Sequence, residues 1–259
     1  MNIEKIRANY QRIAITGASS GIGKEIALYL ASPQTSLYLT GRDTQRLADI
    51  KESCVNQGAK VQESTFDVRN ESACQQWCED IFQERVDLLI INAGMALGED
   101  ESANQQIQVA QTNVMGVANI VFYALEKMQQ QEKIKGYRGQ IVLIASIASL
   151  LAMPNAQSYS ASKHFVRILG EALNLSYPDI TITTICPGFI TTPLTAHLAQ
   201  WIPMMSAKQA ARKILVASAK RKWLYIFPFW LGFAARFYNL LPLCIKRYLC
   251  KILNIMGKL

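Results

Sequence analysis

The sequence predicts an α/β fold: a doubly wound parallel sheet of about seven strands, followed by an amphipathic helical extension at the C-terminal end. Three observations predict it. Apolar runs of about five residues alternate with helical stretches, the pattern of parallel strands buried on both faces. A glycine-rich turn, Gly17-Ala18-Ser19-Ser20-Gly21-Ile22-Gly23, joins the first apolar run to the first helical stretch. Gly17, Arg42, Asp67, Asn92 and Ser146 each follow a predicted strand, and ligands of such sheets gather at the carboxyl ends of strands.

Taken in order, residues 12–16 read as a buried strand, and the turn after them opens a helix that runs to Ala31. Strand, glycine-rich turn and helix make an anion site. The glycines let the backbone approach a phosphate, while the helix N-terminus offers N–H groups and a favourable dipole. The spacing is GxxxGxG. Strands at 36–40, 61–66 and 86–91 alternate with helices at 44–56 and 71–82, and a long helix spans roughly 102–130. A fifth strand at 141–145, a helix at 156–175 and a sixth strand at 180–186 follow. Tyr177 precedes Pro178 and ends that last helix, because the residue before proline avoids the helical region.

Composition bounds the function. The 259 residues are 50% hydrophobic, enough for one large core, and no repeat, low-complexity tract or linker divides them. The expected division is a catalytic α/β domain over 1–228 and a basic, apolar helical extension over 229–259. The N-terminus is polar and carries no apolar secretory region. Six cysteines lack a CxxC pair, and His164 and His197 are the only histidines, so no metal site is expected. Scattered cysteines fit a reducing cytosol, and a cytoplasmic location is expected. Charge is uneven. Residues 180–259 hold eleven Lys/Arg and no Asp/Glu, whereas 1–179 hold the other 16 basic residues against all 19 acids. A strongly basic final third points to a polyanionic surface, nucleic acid or anionic lipid.

The chemistry centres on Tyr159 and Lys163. Four residues apart on a helix, they share a face and act at one point. A free tyrosine titrates near ~10, and a neighbouring ammonium favours its phenolate. Ser146 lies 13 residues upstream of the tyrosine. With the turn beginning Thr16-Gly17 and closing Gly21-Ile22-Gly23, Asp67, Asn92-Ala93-Gly94, Asn113, and Pro187-Gly188 with Thr192, these motifs resemble the short-chain dehydrogenase/reductase family over roughly residues 10–228. Ile91 departs from the family, which often has a second asparagine there. The stretch 129–140 is longer than usual and reads as a surface insertion.

The resemblance implies a Rossmann fold and hydride transfer between a nicotinamide cofactor and the carbonyl or alcohol of a small molecule. Tyr159 would act as general acid/base, and Ser146 would hydrogen-bond the same substrate oxygen. Lys163 would lower the tyrosine pKa and hold ribose hydroxyls. Asn113 would position a water for proton resupply, or else be a helix-interior residue satisfied by backbone. Cofactor contacts are implied for Gly17, Ser19, Ser20, Gly21, Ile22 and Gly23, for Arg42, Asp67 and Val68, and for Asn92, Ala93 and Gly94. Tyr159, Lys163, Pro187, Gly188, Ile190 and Thr192 complete the set. Asp67 would meet the adenine. A homo-oligomer, dimer or tetramer, is implied as well. At the end of the second strand stand Gly41 and Arg42, where an acid would favour NAD; a guanidinium suits a 2′-phosphate, so NADP(H) is favoured over NAD(H). Asp43 could pair with Arg42 and blunt that preference. His164 points away from Lys163 and reads as packing or surface.

Residues 223–235 make an apolar stretch of 13, too short to cross a bilayer and broken by Pro228. Residues 223–227 instead serve as the seventh strand, as the family would have there. Beyond them Leu241, Cys244, Ile245, Tyr248, Ile252 and Ile255 recur at helical spacing. Lys246, Cys250, Asn254 and Lys258 form the next stripe, with Arg247 and Lys251 beside it. Together with Phe229, Trp230, Phe233, Phe237 and Tyr238, this segment suits peripheral contact with the inner face of a membrane; packing on the catalytic domain or on a partner subunit is the alternative. A nucleic-acid role is not expected, since no zinc finger, RNP-type aromatic motif or recognition helix is present. The substrate is expected to be hydrophobic, possibly lipid-like. The competing function is a non-catalytic dinucleotide-binding regulator at a membrane surface, but such a binder has no need of Ser146 and Tyr159 together.

Overall fold

The computed structural model describes residues 3–96, 102–154, 156–193, 195 and 204–255, and for 252–255 the backbone alone. Its strands are β1 (Arg12–Thr16), β2 (Ser36–Gly41), β3 (Lys60–Thr65), β4 (Leu88–Ile91), β5 (Gly139–Ile144) and β6 (Ile180–Pro187). Two short ones, β7 (Ile190–Thr191) and β8 (Met205–Ser206), precede β9 (Leu224–Phe227). Seven of them make one parallel sheet in the order β3-β2-β1-β4-β5-β6-β9, while β7 and β8 pair separately. The chain reverses its direction of travel across the sheet between β1 and β4. That switch opens a crevice at their carboxyl ends.

Strand alternation sorts the core into two layers. Ile13, Ile15, Leu88 and Ile90 pack with α1 (Ile3–Arg7), α2 (Gly21–Leu30), α3 (Thr44–Val55) and α8 (Ala207–Ala219). Ala14, Leu89 and Ile91 point the other way, onto α4 (Glu71–Ile81), α6 (Gly116–Gln130) and α7 (Gln157–Ser176). Both faces are covered, which is why these strands read as unbroken apolar runs. Strand β3 is the exception: it lies at the sheet edge, and Lys60, Gln62 and Glu63 keep it polar. Asp43, Asn70 and Ser206 cap α3, α4 and α8 through their side chains.

The long helix expected over 102–130 is interrupted. It runs as α5 (Ala103–Ala110), a π-helical turn Gln111–Met115, and α6. The extra residue of the π turn lies where Thr112 and Asn113 bond to Met95, on the segment that follows β4. Four elements go beyond the sequence pattern. Helix α1 has five residues, too few for periodicity; β7 and β8 have two each; and α8, with Ala210, Ala211, Ile214 and Leu215 buried, was not among the expected helices. Past β9 the chain forms α9 (Phe229–Leu240) and α10 (Leu243–Ile255). The amphipathic helix therefore starts at Leu243; Leu241 is the extended cap of α9. Lys258 and the side chains of Ile252, Asn254 and Ile255 lie outside the described residues. Among those described, no helix is long and apolar enough to cross a membrane.

Candidate active site

The glycine-rich turn is built on the end of β1 and stacks over the end of β4. Gly17 has φ +67°, and a methyl group there would stand 2.9 Å from Ala93 Cα. Only glycine meets both demands. The two strand ends are tied by Thr16, whose hydroxyl accepts from the backbone N–H groups of Asn92 (3.0 Å) and Ala93 (3.1 Å). In return the Asn92 amide donates to the carbonyls of Thr16 (3.2 Å) and Gly17 (3.1 Å). Thr16 is fully buried and was not among the expected site residues; the available signal was a hydroxyl side chain ending a buried strand just before the turn. Gly23 differs from its expected role. It is not on the wall of the cleft but under it, where a methyl group would meet the Gly17 carbonyl at 2.2 Å, so it lets α2 pass beneath the turn. Ser20 begins α2 without a side-chain cap, and no acidic residue occupies the first turn.

Above this turn lies a cleft of about 470 Å³. Gly17, Ser19, Ser20, Gly21 and Ile22 line one end, with Asn92, Ala93 and Gly94 at the middle. At the β2 edge the wall is formed by Thr40, Gly41, Arg42, Asp43 and also Arg46, which was not among the expected site residues. Arg46 sits on the first turn of α3 and draws Asp43 to itself, at 3.1 Å, while Asp43 also accepts from the Arg46 backbone N–H. Asp43 therefore does not neutralise Arg42. Among the described residues, the Arg42 guanidinium makes its ion pair with Asp67, at 3.9 Å. Asp67 stands between two residues of the cleft wall, and its carboxylate is engaged by a neighbour. Arg69 takes it with bonds of 2.7 and 3.0 Å from the guanidinium and 2.9 Å from the backbone, which hold its carboxyl below the usual range. Its neighbours Phe66 and Val68 line the cavity.

Ser146, Tyr159 and Lys163 meet on the wall beyond Gly94. Ser146 ends β5 in extended backbone and begins the short 3₁₀ turn Ile147–Ser149. Its oxygen accepts from the Ala148 N–H at 3.1 Å, leaving the hydroxyl proton for Tyr159. Burial raises the Tyr159 pKa above its ordinary value, and the Ser146 hydrogen bond acts against that rise. Lys163 was expected to be the lowering influence. Instead its ammonium, 5.8 Å from the Tyr159 ring centre, donates to the Ile144 carbonyl at 3.0 Å. Burial brings the Lys163 pKa down to about 8, because few groups around it solvate a charge.

Asn113 sits on the π turn and does not line the cleft. Its amide accepts from the Met95 N–H (2.8 Å) and donates to the Met95 carbonyl (2.9 Å) and the Ser162 hydroxyl (3.1 Å). A methyl group at Gly94 would stand 3.1 Å from Asn113 Oδ1 and 3.4 Å from Lys163 Nζ, so the two side chains flank that glycine. His164 turns to the Ser160 carbonyl at 2.8 Å, away from the cluster. Pro187 at the end of β6 and Gly188, Ile190 and Thr192 after it also line the cleft, and Thr192 stands against the glycine-rich turn, where a methyl group on Gly21 would meet it at 3.2 Å. Behind Gly188 stand Pro228 and Leu231 at the start of α9.

Comparison with known proteins agrees with this geometry. The family model described as short chain dehydrogenase matches residues 11–203. Dehydrogenase/reductase SDR family member 7B of Xenopus laevis is 33% identical over 198 residues, which cover 71% of this chain and 60% of that protein. The chain thus spans three-fifths of that relative's length. A short chain dehydrogenase/reductase from Burkholderia phymatum, solved in complex with NAD, superposes with a TM-score of 0.78 at 26% identity, over 88% of this chain and 92% of its own. A short-chain dehydrogenase from Sphingobium yanoikuyae, solved in complex with NADPH, gives 0.75 at 26% identity, over 89% and 92%. With the parallel sheet, the glycine-rich turn at its switch point and the family match over most of its length, the chain belongs to the short-chain dehydrogenase/reductase family.

Proposed function

We propose that this protein is an NADP(H)-dependent oxidoreductase acting on the carbonyl or alcohol of a hydrophobic substrate, with Tyr159 as general acid/base. The observation that carries the reading is the meeting of Ser146, Tyr159 and Lys163 on the same cleft that the glycine-rich turn and Arg42 enter from the other end. The residues present fit a dinucleotide. The uncapped N-terminus of α2 offers N–H groups to a pyrophosphate. Gly41, where a methyl group would press on Ser19 Oγ at 2.9 Å, puts no acid at the last residue of β2, and the acid that lines the cleft nearby, Asp43, is paired with Arg46. Thr40 on the cleft wall has a buried hydroxyl with no hydrogen-bond partner. Arg42 and Arg46 would together hold a 2′-phosphate, which favours NADP(H) over NAD(H).

When bound, a reduced nicotinamide supplies the hydride and its electron pair to a carbonyl carbon. The chain's own part is the proton. Tyr159, kept protonated by burial, gives its hydrogen to the carbonyl oxygen as negative charge develops there, and Ser146 donates to the same oxygen. Lys163, whose ammonium rests on the Ile144 carbonyl, would hold the ribose hydroxyls. Asn113, fixed by Met95 and Ser162, positions the loop carrying Gly94 beside Lys163. The cleft's apolar members Met95, Ile144, Ala145, Pro187 and Ile190 suit an apolar substrate.

A homo-oligomer is also part of this reading, supported by the exposed Phe122 of α6 and Ile168 and Leu175 of α7. So is peripheral contact with an anionic membrane through 229–259, supported by the exposed aromatics of α9. The direct test is NADPH oxidation by purified protein against a panel of ketones, aldehydes and 3-oxoacyl compounds. Turnover of at least one apolar carbonyl is expected. NADPH binding without turnover of any would leave only the non-catalytic regulator.

A further inference from the structure

Helix α9 has two unlike faces. Its inner face, Leu231, Ala235 and Asn239, packs on the segment that directly follows Ser146. Ala235 clusters with Ile147 and Leu150, and the Asn239 amide donates to the Leu150 carbonyl. Leu231 also backs Gly188, a second wall residue of the cleft. The outer face carries Phe229, Trp230, Phe233, Phe237 and Leu240, exposed at 82, 60, 75, 62 and 80%. On a helix these five fall within an arc of roughly 100°, opposite the inner face. Leu243, Ile245 and Tyr248 of α10 are exposed as well. A contiguous aromatic surface of this kind is not normal for a face turned to water.

Charge selects the occupant. From 229 to 255 the only ionisable side chains of unit charge are Arg236, Lys246, Arg247 and Lys251, and no acid occurs anywhere after Asp179. Aromatic rings flanked by cations match the headgroup boundary of an anionic bilayer. A second copy of the chain would instead have to bring four like charges against four.

We propose that α9 is the link between bilayer and cleft. Docked on anionic phospholipid by its outer face, it holds the Ser146 segment and Gly188 next to the lipid boundary. The substrates are therefore long-chain ketones or aldehydes dissolved in the membrane, which reach the cleft without crossing water. This rests on the oxidoreductase reading and on the membrane contact given above. It goes beyond both in naming where the substrate comes from.

The test uses the full chain, phosphatidylcholine vesicles with and without phosphatidylglycerol, a short soluble carbonyl found by the substrate panel, and its long-chain homologue carried in the vesicles. Wild type is expected to co-sediment with the anionic vesicles at low salt, each basic group strengthening binding by roughly fivefold. The double variant Phe233→Glu/Phe237→Glu, which touches only the outer face, should bind at least ~10-fold more weakly. It should lose turnover of the vesicle-borne substrate to the same extent while keeping turnover of the soluble one within about twofold, since neither side chain enters the cleft. Four results overturn the proposal, each for its own reason. If wild type stays in the supernatant, the membrane contact is wrong, and a mass measurement in solution will show whether a second copy covers α9. If wild type sediments and turns over the soluble carbonyl but not its vesicle-borne homologue, substrate does not reach the cleft from the bilayer. A panel in which no carbonyl is turned over fails the oxidoreductase reading itself. If the variant sediments poorly yet uses vesicle-borne substrate like wild type, docking and substrate entry are unrelated.

Discussion

Burial gives the two titrating groups of the cleft opposite tendencies. Burial pushes Tyr159 above its ordinary pKa, so the side chain keeps its proton at neutral pH. Replacing Tyr159 by Phe should remove turnover by several orders of magnitude while leaving NADPH affinity within a few-fold, as kinetics beside a binding titration will show. Lys163 is brought down to about 8. Below that pH it is an ammonium able to donate to ribose hydroxyls; above it the charge is lost. NADPH affinity should therefore fall as pH rises through about 8, and Lys163→Met should both weaken binding and flatten the profile. A slope surviving in the variant assigns it to another group. Ser146, Tyr159 and Lys163 were legible because helical spacing and strand-end position are one-dimensional facts. The capture of Asp67 by Arg69, and Asp43's choice of Arg46 over Arg42, were not. Each depends on side-chain directions that two neighbouring guanidiniums compete to set.

At the scale of elements, the site is where loops from separate strands are pinned together. Thr16 is the pin between the first βα turn and the end of β4, and Thr16→Val keeps the shape but leaves two backbone N–H groups without their acceptor. A loss of about 1–3 kcal/mol is expected, read from the urea midpoint, together with weaker NADPH binding. The start of α3 carries the cofactor preference. Arg42→Ala should weaken NADPH by roughly 10- to 100-fold and NADH little, a charge-assisted contact contributing about 1.5–3 kcal/mol. Arg46→Ala should add to that effect and also free Asp43. Unchanged NADPH affinity in the double variant would place the phosphate elsewhere. Strands and most helices were readable because their periods of 2 and 3.6 repeat several times. The π turn was not, since one extra residue inside a helix leaves the apolar period on either side intact.

At the scale of the molecule, the rhythm of apolar strands and helices was enough to foresee the sheet, because both its faces are buried. Charge told where the chain changes character, but not that its aromatic residues would share one face of a separate helix. That follows from Gly232 and Ala235, whose small side chains let α9 lie close on Ile226 and Leu150 and so turn everything larger outward. The contact between Asn239 and Leu150 joins positions 89 apart. During synthesis the first βα turn and β4 leave the ribosome early and can close on each other well before α9 exists. A nascent chain thus acquires its nucleotide cradle first, and the segment behind Ser146 is braced only when the aromatic helix arrives. Any slowing of translation between the two events would leave the segment behind Ser146 without its brace for that interval.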